Sequence, residues 1–378
     1  MFASCFTRAL HVWLCLLVVS PVVQGQALEH RWLGGYEMNA PPPFGGNKTS
    51  FSPGGMVGSV QEDRPMFFSR TVACLSNADD SAMVYTNGIY VANIAGDSML
   101  NGWDLNPSLY IDELYGCTAA NSHILLPWPA REDSFAMFHM AVDTFNTASL
   151  LIARRFYLSI IDMAQGNGLG AVVEKNTVLD VGDFCIGGVS AVKHGNGRDW
   201  WVYMHRCGNN DFVRFLLAPQ GVTGPWYQSI GAARNATVPS GVFTRDGEHF
   251  AHVDAFTYLD VYNVDRCTGE FFNLRHADLQ DSSWTAHAAF APSGRFLYVT
   301  HLDRVYQYDL EAPDLEASQQ TVAVWDSTYD PVPPFALLFN NICLAPDNKI
   351  YISTGNGSRY MHVTVSYTHL DVYKRQGN

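Results

Sequence analysis

The sequence predicts an all-β chain assembled from repeated small antiparallel sheets, on three observations. A short phrase recurs: FAPSGRFLY at 290–298, LAPDNKIYI at 344–352 and FTRDGEHF at 243–250, each an apolar strand end, a tight polar turn and an apolar strand start. From Gly247 to Gly294 to Asn348 the steps are about fifty residues, the spacing of one blade of a toroidal repeat. The composition is that of strands and turns: 18 Tyr, 22 Phe and 9 Trp, few charges, and 31 Gly with 18 Pro. Runs of four to eight apolar and aromatic residues alternate with turn clusters along most of the chain.

Taken in order, the segment 26–66 is rich in Gly, Pro and Ser and offers one lone strand, His30 to Leu33. Ser69 to Ser76, Ala82 to Tyr85 and Ile89 to Asn93 form a first group, with Asn87-Gly88 marking a hairpin turn. His123 to Trp128, Phe135 to Ala141, Phe156 to Asp162 and Ala171 to Leu179 form a second, interrupted by Val142 to Arg155, the only good candidate for a helical turn or two. The third group is Val189 to Lys193, Trp200 to His205, Asp211 to Leu217 and Pro225 to Ser229. The fourth is Gly241 to Thr244, His249 to Asp254, Leu259 to Val264 and Glu270 to Leu274. The fifth is Ala286 to Ala291, Phe296 to Thr300, Val305 to Leu310 and Gln320 to Trp325, and Ile342 to Ala345 with Ile350 to Ser353 begins a sixth.

Four strands per group around an axis make a β-propeller of about six or seven four-stranded blades, here missing its end. An isolated blade exposes both faces of its sheet, and stacking blades buries them against one another. A linear solenoid competes, but its repeats are usually shorter and its strands parallel. Gly247, Gly294 and Asn348 take the turn position that needs left-handed backbone.

The ends carry addresses rather than fold. Arg8 followed by the short apolar run Val12 to Val23 reads as a secretory signal cleaved before Gln26, so that the chain is expected to be secreted or held at the outer cell surface. The run is too short to span a bilayer comfortably, and no later segment approaches a transmembrane length. Residues 365–376, VSYTHLDVYKRQ, match a translated adapter joined to its own reverse complement and are set aside as foreign, which leaves 67–364 as the propeller and places a cut in the natural gene near Thr364. Net charge is −13 with no basic cluster, which argues against a nucleic-acid partner.

After signal removal six cysteines remain. Cys185 and Cys207 lie symmetrically about Asn196 in a strand–turn–strand stretch, and antiparallel pairing would set them opposite each other; a disulfide and two buried thiols both fit.

Several phrases, LSNADDSAMVYTNG (75–88), MLNG (99–102), NGLGAVVEKN (167–176), AVKHGNGRDWW (191–201), DRCTG (265–269) and RFLYV (295–299), give the chain a resemblance over about residues 30–354. It resembles the secreted, WD-like propeller-repeat proteins of gliding, type IX-secreting bacteria. That resemblance implies a propeller and a surface destination. Members often continue into polycystic-kidney-disease-type modules and a sorting domain, absent here, and the group implies little about activity.

The chemical motifs are weak. His249, His252 and Asp254 lie on one strand, where only His252 and Asp254 share a face, too few for a closed metal site. Gly96-Asp97-Ser98 lacks the strand-to-helix bend of a nucleophile turn, and the glycines at 166–170 lead into a strand rather than the helix a dinucleotide needs. No catalytic, cofactor-binding or metal residue is assigned, and no cofactor. The candidate binding loop is His194, Asn196, Arg198, Trp200 and Trp201, whose aromatics and Arg could stack on a sugar or peptide, or else pack on the two faces of a blade while Arg198 and Asp199 hold the turn. The expected function is a non-enzymatic scaffold binding a protein or glycan at the cell surface. The alternative is a propeller enzyme, a glycoside hydrolase or lyase, recognisable by two carboxylates, or a His and a carboxylate, converging on one site.

Overall fold

The structure, a computed structural model, describes residues 31–35, 46–52, 55–62, 64–68, 72–76, 83–108, 111–112, 116–117, 121–145, 151–235, 239–254, 257–279, 286–331, 334–358, 360–366 and 369–374. The expected signal at 1–25 lies outside these residues. Among them are strands and two single 3₁₀ turns, Gly166–Gly168 and Glu316–Ser318, and no helix long and apolar enough to cross a membrane.

Seven antiparallel sheets follow one another around a ring. Blade 1 is β1 (Arg31–Gly35), β2 (Gly46–Ser52) and β3 (Gly55–Glu62), and blade 2 is β4 (Ala73–Ser76), β5 (Met83–Thr86) and β6 (Val91–Asn93). The hairpin β7 (Ile111–Asp112) and β8 (Gly116–Cys117) then leads into blade 3, which is β9 (His123–Pro127), β10 (Ser134–His139), β11 (Thr144–Phe145), β12 (Leu151–Asp162) and β13 (Ala171–Cys185). Blade 4 is β14 (Ser190–Lys193), β15 (Trp200–His205), β16 (Asn209–Ala218) and β17 (Gly221–Arg234). Blade 5 is β18 (Ser240–Phe243), β19 (His249–Asp254), β20 (Tyr258–Asp265) and β21 (Glu270–Asp278). Blade 6 is β22 (Ala286–Phe290), β23 (Phe296–His301), β24 (Arg304–Asp309) and β25 (Gln320–Val324), and blade 7 is β26 (Ile342–Leu344), β27 (Ile350–Ser353), β28 (Tyr360–Ser366) and β29 (His369–Lys374).

Closure of the ring is read from its cores. Among the described residues, each of seven interfaces between neighbouring blades holds a buried apolar cluster, from Leu33 with Tyr85 between blades 1 and 2 round to Phe51 with Tyr351 between blades 7 and 1. An open arc of seven blades would have six such interfaces. The closing contact is aromatic, with the Tyr351 ring edge-on to Trp32 at 5.8 Å and to Phe51 at 5.5 Å. Residues 31–62 therefore carry three strands where the sequence shows one, because Gly- and Ser-rich strands lack the apolar runs that announce the others. The outermost strand of blade 7, β29, falls on the stretch that reads as foreign.

Of the 142–155 span expected to hold a helical turn, 144–145 form β11 and Leu151 begins β12, a twelve-residue strand between β10 and β13, while 146–150 lie outside the described residues. Two partner strands outweigh a weak local preference. The recurring turn is as read: Gly247, Gly294 and Asn348 have φ of 75°, 74° and 64°, and each donates its N–H to the residue three positions earlier.

Candidate functional site

The loop proposed from sequence is a fourth copy of that blade turn. Gly197 has φ 73° and donates to the His194 carbonyl. Asn196 Oδ1 accepts from the Arg198 N–H at 3.0 Å, as Asp246 accepts from Glu248 at 2.9 Å and Asp347 from Lys349 at 3.1 Å. Asn196 Nδ2 also donates to Asp199 Oδ2 at 2.9 Å, and the Arg198 guanidinium forks onto the same carboxylate at 2.7 and 3.1 Å. The hydrogen bond from Arg198 holds the Asp199 carboxyl below its ordinary value. Asn196 and Arg198 are thus engaged in shaping the turn.

The two tryptophans point to opposite blades, because successive side chains on a strand alternate. Trp200 is half-buried with the Lys193 ammonium 3.8 Å above its ring. Trp201 is buried against blade 5: its indole N–H donates to the Arg266 carbonyl at 2.9 Å, and a Cβ added to Gly269 would stand 2.7 Å from its ring. His194 stacks on Trp201 at 5.6 Å, and Trp226 of β17 meets it edge-on at 5.7 Å. Trp226 is 39% exposed and sits across from Arg214, which pairs with Glu270 of blade 5 at 3.1 Å. The structure therefore brings His194 and Trp201 together with Trp226, Arg214 and Glu270. Sequence reading placed Trp226 in a strand without a role, since register across two blades decides what it touches.

Between blades 4 and 5 lies an aromatic slab including Tyr203, Phe212, Phe250 and Phe271, lashed by the Gln228 amide, which donates to the Phe271 carbonyl at 2.7 Å and accepts its N–H at 2.9 Å. The Trp201–Trp226 shelf caps one end. The other end is polar. The His205 and His252 rings lie 5.1 Å apart, and His252 Nδ1 is 3.0 Å from the Tyr258 hydroxyl. Arg234 stacks on Tyr258 at 3.9 Å and reaches both oxygens of buried Asp260 at 3.2 and 3.1 Å. His276 Nδ1 lies 2.6 Å from Asp260, and its Nε2 lies 3.0 Å from exposed Asp278. Burial pushes His205 down to about 4, and burial followed by the neighbouring His205 and Arg234 pushes His252 well below the ordinary imidazole value. Burial also works against the His276 charge, yet hydrogen bonds to Asp260 and Asp278 outweigh it and raise its pKa.

The sign of that last shift gives a test. A raised folded pKa means the His276 contribution to stability is complete below the unfolded imidazole value and is lost as pH rises through the folded value. The buried histidines act in the opposite sense, so the measurement is a difference. The Tm advantage of wild type over His276→Gln is expected to be larger at pH 5.5 than at pH 8.5, and a flat difference would contradict the assignment.

A second polar cluster is buried where the segment following blade 2 meets blade 3. His123 and His139 face each other across β9 and β10 with parallel rings 5.9 Å apart. Asn106, at φ 53°, links them: its Nδ2 lies 2.6 Å from His123 Nε2 and its Oδ1 lies 2.7 Å from His139 Nδ1. Ser122 Oγ lies 2.6 Å from His123 Nδ1, and Ser159 Oγ lies 2.9 Å from His139 Nε2 while accepting the Asn176 N–H at 3.0 Å. One proton assignment satisfies every contact: both rings neutral and protonated at Nδ1, with His123 Nε2 accepting from Asn106 and His139 Nε2 accepting from Ser159. Burial accordingly lowers His123 to about 3.

The remaining motifs fall into place as structure. Ser98 is exposed and bridges to Ala92 in a strand-like pairing, and the glycines at 166–168 make a 3₁₀ turn entering β13. His252 and Asp254 are buried, and among the described residues no three His, Cys, Asp or Glu side chains gather as metal ligands do. The hairpin expected to join Cys185 and Cys207 is not what brings them together: Cys185 ends β13 of blade 3, whereas β14 pairs β15 only from Ser190 with Tyr203. They nonetheless meet, with Ile152, across the boundary of blades 3 and 4.

No family model and no curated protein matches the chain. Solved structures do. The "putative 6-phosphogluconolactonase" of Bacteroides uniformis ATCC 8492 aligns with a TM-score of 0.52 at 11% identity over 90% of this chain and 94% of that one. Its counterpart from Bacteroides fragilis NCTC 9343 aligns with 0.52 at 12% identity over 94% and 96%. At such identities the likeness speaks for the seven-bladed propeller fold alone.

Proposed function

We propose that this propeller is exported to the cell surface and binds a glycan or glycan-bearing protein without chemically altering it. The observation that carries this reading is the shelf at the blade 4/5 boundary. A large indole, Trp226, is held 39% exposed, backed by buried Trp201 and flanked by the Arg214–Glu270 pair. An indole fixed in one orientation offers a flat apolar face for the C–H side of a sugar ring at little entropic cost, and the flanking pair offers a carboxylate acceptor and guanidinium donors for hydroxyls. The apolar leader at Val12 to Val23 and the resemblance to secreted propellers support the destination.

The enzyme reading has its own observation, the convergence of His276 with Asp260 and Asp278. A general base, however, needs a ring nitrogen free to take a proton from substrate, and both His276 nitrogens face carboxylates. The lactonase name borne by the fold relatives adds a substrate class to try, and hydrolysis of a phosphosugar lactone by the purified chain would favour this second reading.

Binding to a panel of immobilised oligosaccharides and glycoproteins tests the first. Trp226→Ala is expected to weaken binding about tenfold, the worth of one aromatic stacking contact. Trp103→Ala, at an exposed indole stacked on Tyr90 in blade 2's outgoing loop, should leave it unchanged. Equal binding by wild type and Trp226→Ala would remove the shelf from consideration.

A further inference from the structure

We propose that Cys185 and Cys207 are oxidised to a disulfide that staples blade 3 to blade 4. The two residues lie on different sheets, yet the last turn of β13 pairs with the 206–208 turn as if it belonged to blade 4. Phe184 and Arg206 form an antiparallel bridge, and the Cys207 N–H donates to the Asp183 carbonyl at 2.8 Å. Residues 185 and 207 lie diagonally across that bridge, on the face opposite Phe184 and Arg206, within side-chain reach of each other. Both are buried, both touch Ile152, and their sulfurs are within hydrogen-bonding reach of each other. The backbone around them is pinned on both sides: Arg206 pairs with Asp180 at 2.6 Å and lies 4.1 Å over the Phe184 ring, and Arg154 pairs with Asp183 at 2.5 Å. Two buried thiols in contact on strands pinned in this way need little rearrangement to bond. The remaining cysteines are dispersed, with Cys74 on β4, Cys117 on β8, Cys267 in the turn before β21 and Cys343 on β26. Of the fifteen full pairings open to six cysteines, the fold favours those containing this bond.

The oxidant is a second disulfide, such as a small-molecule disulfide or a disulfide-donating protein of an oxidising compartment. The Cys207 thiol, its pKa lowered by its hydrogen bond with Cys185, loses its proton to water, and the resulting thiolate attacks one sulfur of the oxidant and expels the other as a thiolate. The Cys185 thiolate then attacks Cys207 in the mixed disulfide and expels the second. Two protein thiols lose two protons and two electrons, and the oxidant is reduced to two thiols.

The experiment uses the full chain after incubation with oxidised glutathione, denatured, alkylated without reductant, digested and weighed. The expected result is one cross-linked peptide pair joining Cys185 to Cys207, with Cys74, Cys117, Cys267 and Cys343 alkylated. Reduction should lower Tm by roughly 3–6 °C, as closing a loop of about twenty residues implies, and Cys185→Ser should abolish that difference. Alkylation of all six cysteines, or a cross-link that joins either residue to another cysteine, overturns the proposal. The mass measurement on the wild-type chain is decisive even if the variant fails to fold. Because the staple lies away from the Trp226 shelf, glycan binding should be indifferent to reduction, so the two readings fail separately.

Discussion

Asn106→Ala is expected to destabilise the fold by about 3–5 kcal/mol, from orphaned buried polar groups and the cost of a left-handed alanine. The Asn106 side chain serves three partners at once: His123 Nε2, His139 Nδ1 and, at 3.0 Å, the Gly88 carbonyl. None can turn to water, because His139 is fully buried and His123 is 6% exposed. Truncation removes one acceptor and two donors and leaves no room for compensation. Asn106→Asp separates the electrostatic part from the packing part. A carboxylate would face His123 Nε2, which carries no proton in the native assignment, so the variant must take up a proton to restore the contact. Its deficit relative to wild type should therefore shrink as pH falls from 8 to 5. Chemical denaturation at several pH values measures both effects, and a loss below about 1 kcal/mol for Asn106→Ala, the worth of one ordinary net hydrogen bond, would show that its buried partners are not left unsatisfied.

The second large effect is expected at the polar end of the blade 4/5 interface. Asp260 is 1% exposed, and its carboxylate receives Arg234 from blade 4 and His276 from its own sheet. Removing the anion leaves a partly buried guanidinium facing an imidazole that loses a proton-holding partner. For Asp260→Ala the expected loss is about 2–4 kcal/mol, less than a wholly buried pair would give because Arg234 and His276 keep some contact with water. A structural loss alone would not change titration, so the specific readout is His276 itself. Its pKa, followed by NMR, should fall when Asp260 is replaced by Asn, since one of two stabilising carboxylates is gone. An unchanged His276 titration in Asp260→Asn would contradict this account of the cluster.

The two histidine-rich clusters differ in how far they are satisfied. In the His123–His139 cluster every ring nitrogen has a polar partner, whereas at the polar end of the blade 4/5 interface His205 Nδ1 and Arg234 Nε are buried without a hydrogen bond. The exposed chemistry lies at the opposite end of the same interface, where Trp226 stands on Trp201.

The comparison of sequence with structure is sharpest at particular residues. The strands from β14 to β27 were legible because each alternates or runs apolar between turn residues, and because a period-two pattern survives without knowledge of its partners. The turn positions were legible too, since only a residue tolerant of positive φ fits them, and 247, 294 and 348 are Gly, Gly and Asn. Strands β2 and β3 were not, because GNKTSFS and GMVGSVQE carry no dense apolar signal and are held by the β1–β2–β3 ladder and by the contact of Phe51 with Tyr351 of blade 7. In the candidate loop, the residue types were visible but their duties were not. Asn196 and Arg198 are absorbed by the turn, and Trp226, some thirty residues on, completes the shelf.

The sequence by itself determined the local grammar of this protein: where strands start, where the chain must reverse, and that the sheets repeat. It could do so because those outcomes depend on neighbours a few residues apart. Only the tertiary structure decided that the ring closes through residues 31–62, that Cys185 meets Cys207 across a blade boundary, and that Trp226 keeps an exposed face against buried Trp201. Those outcomes depend on which sheet face lies against which, and contacts between residues far apart in the chain exist only once the blades have stacked.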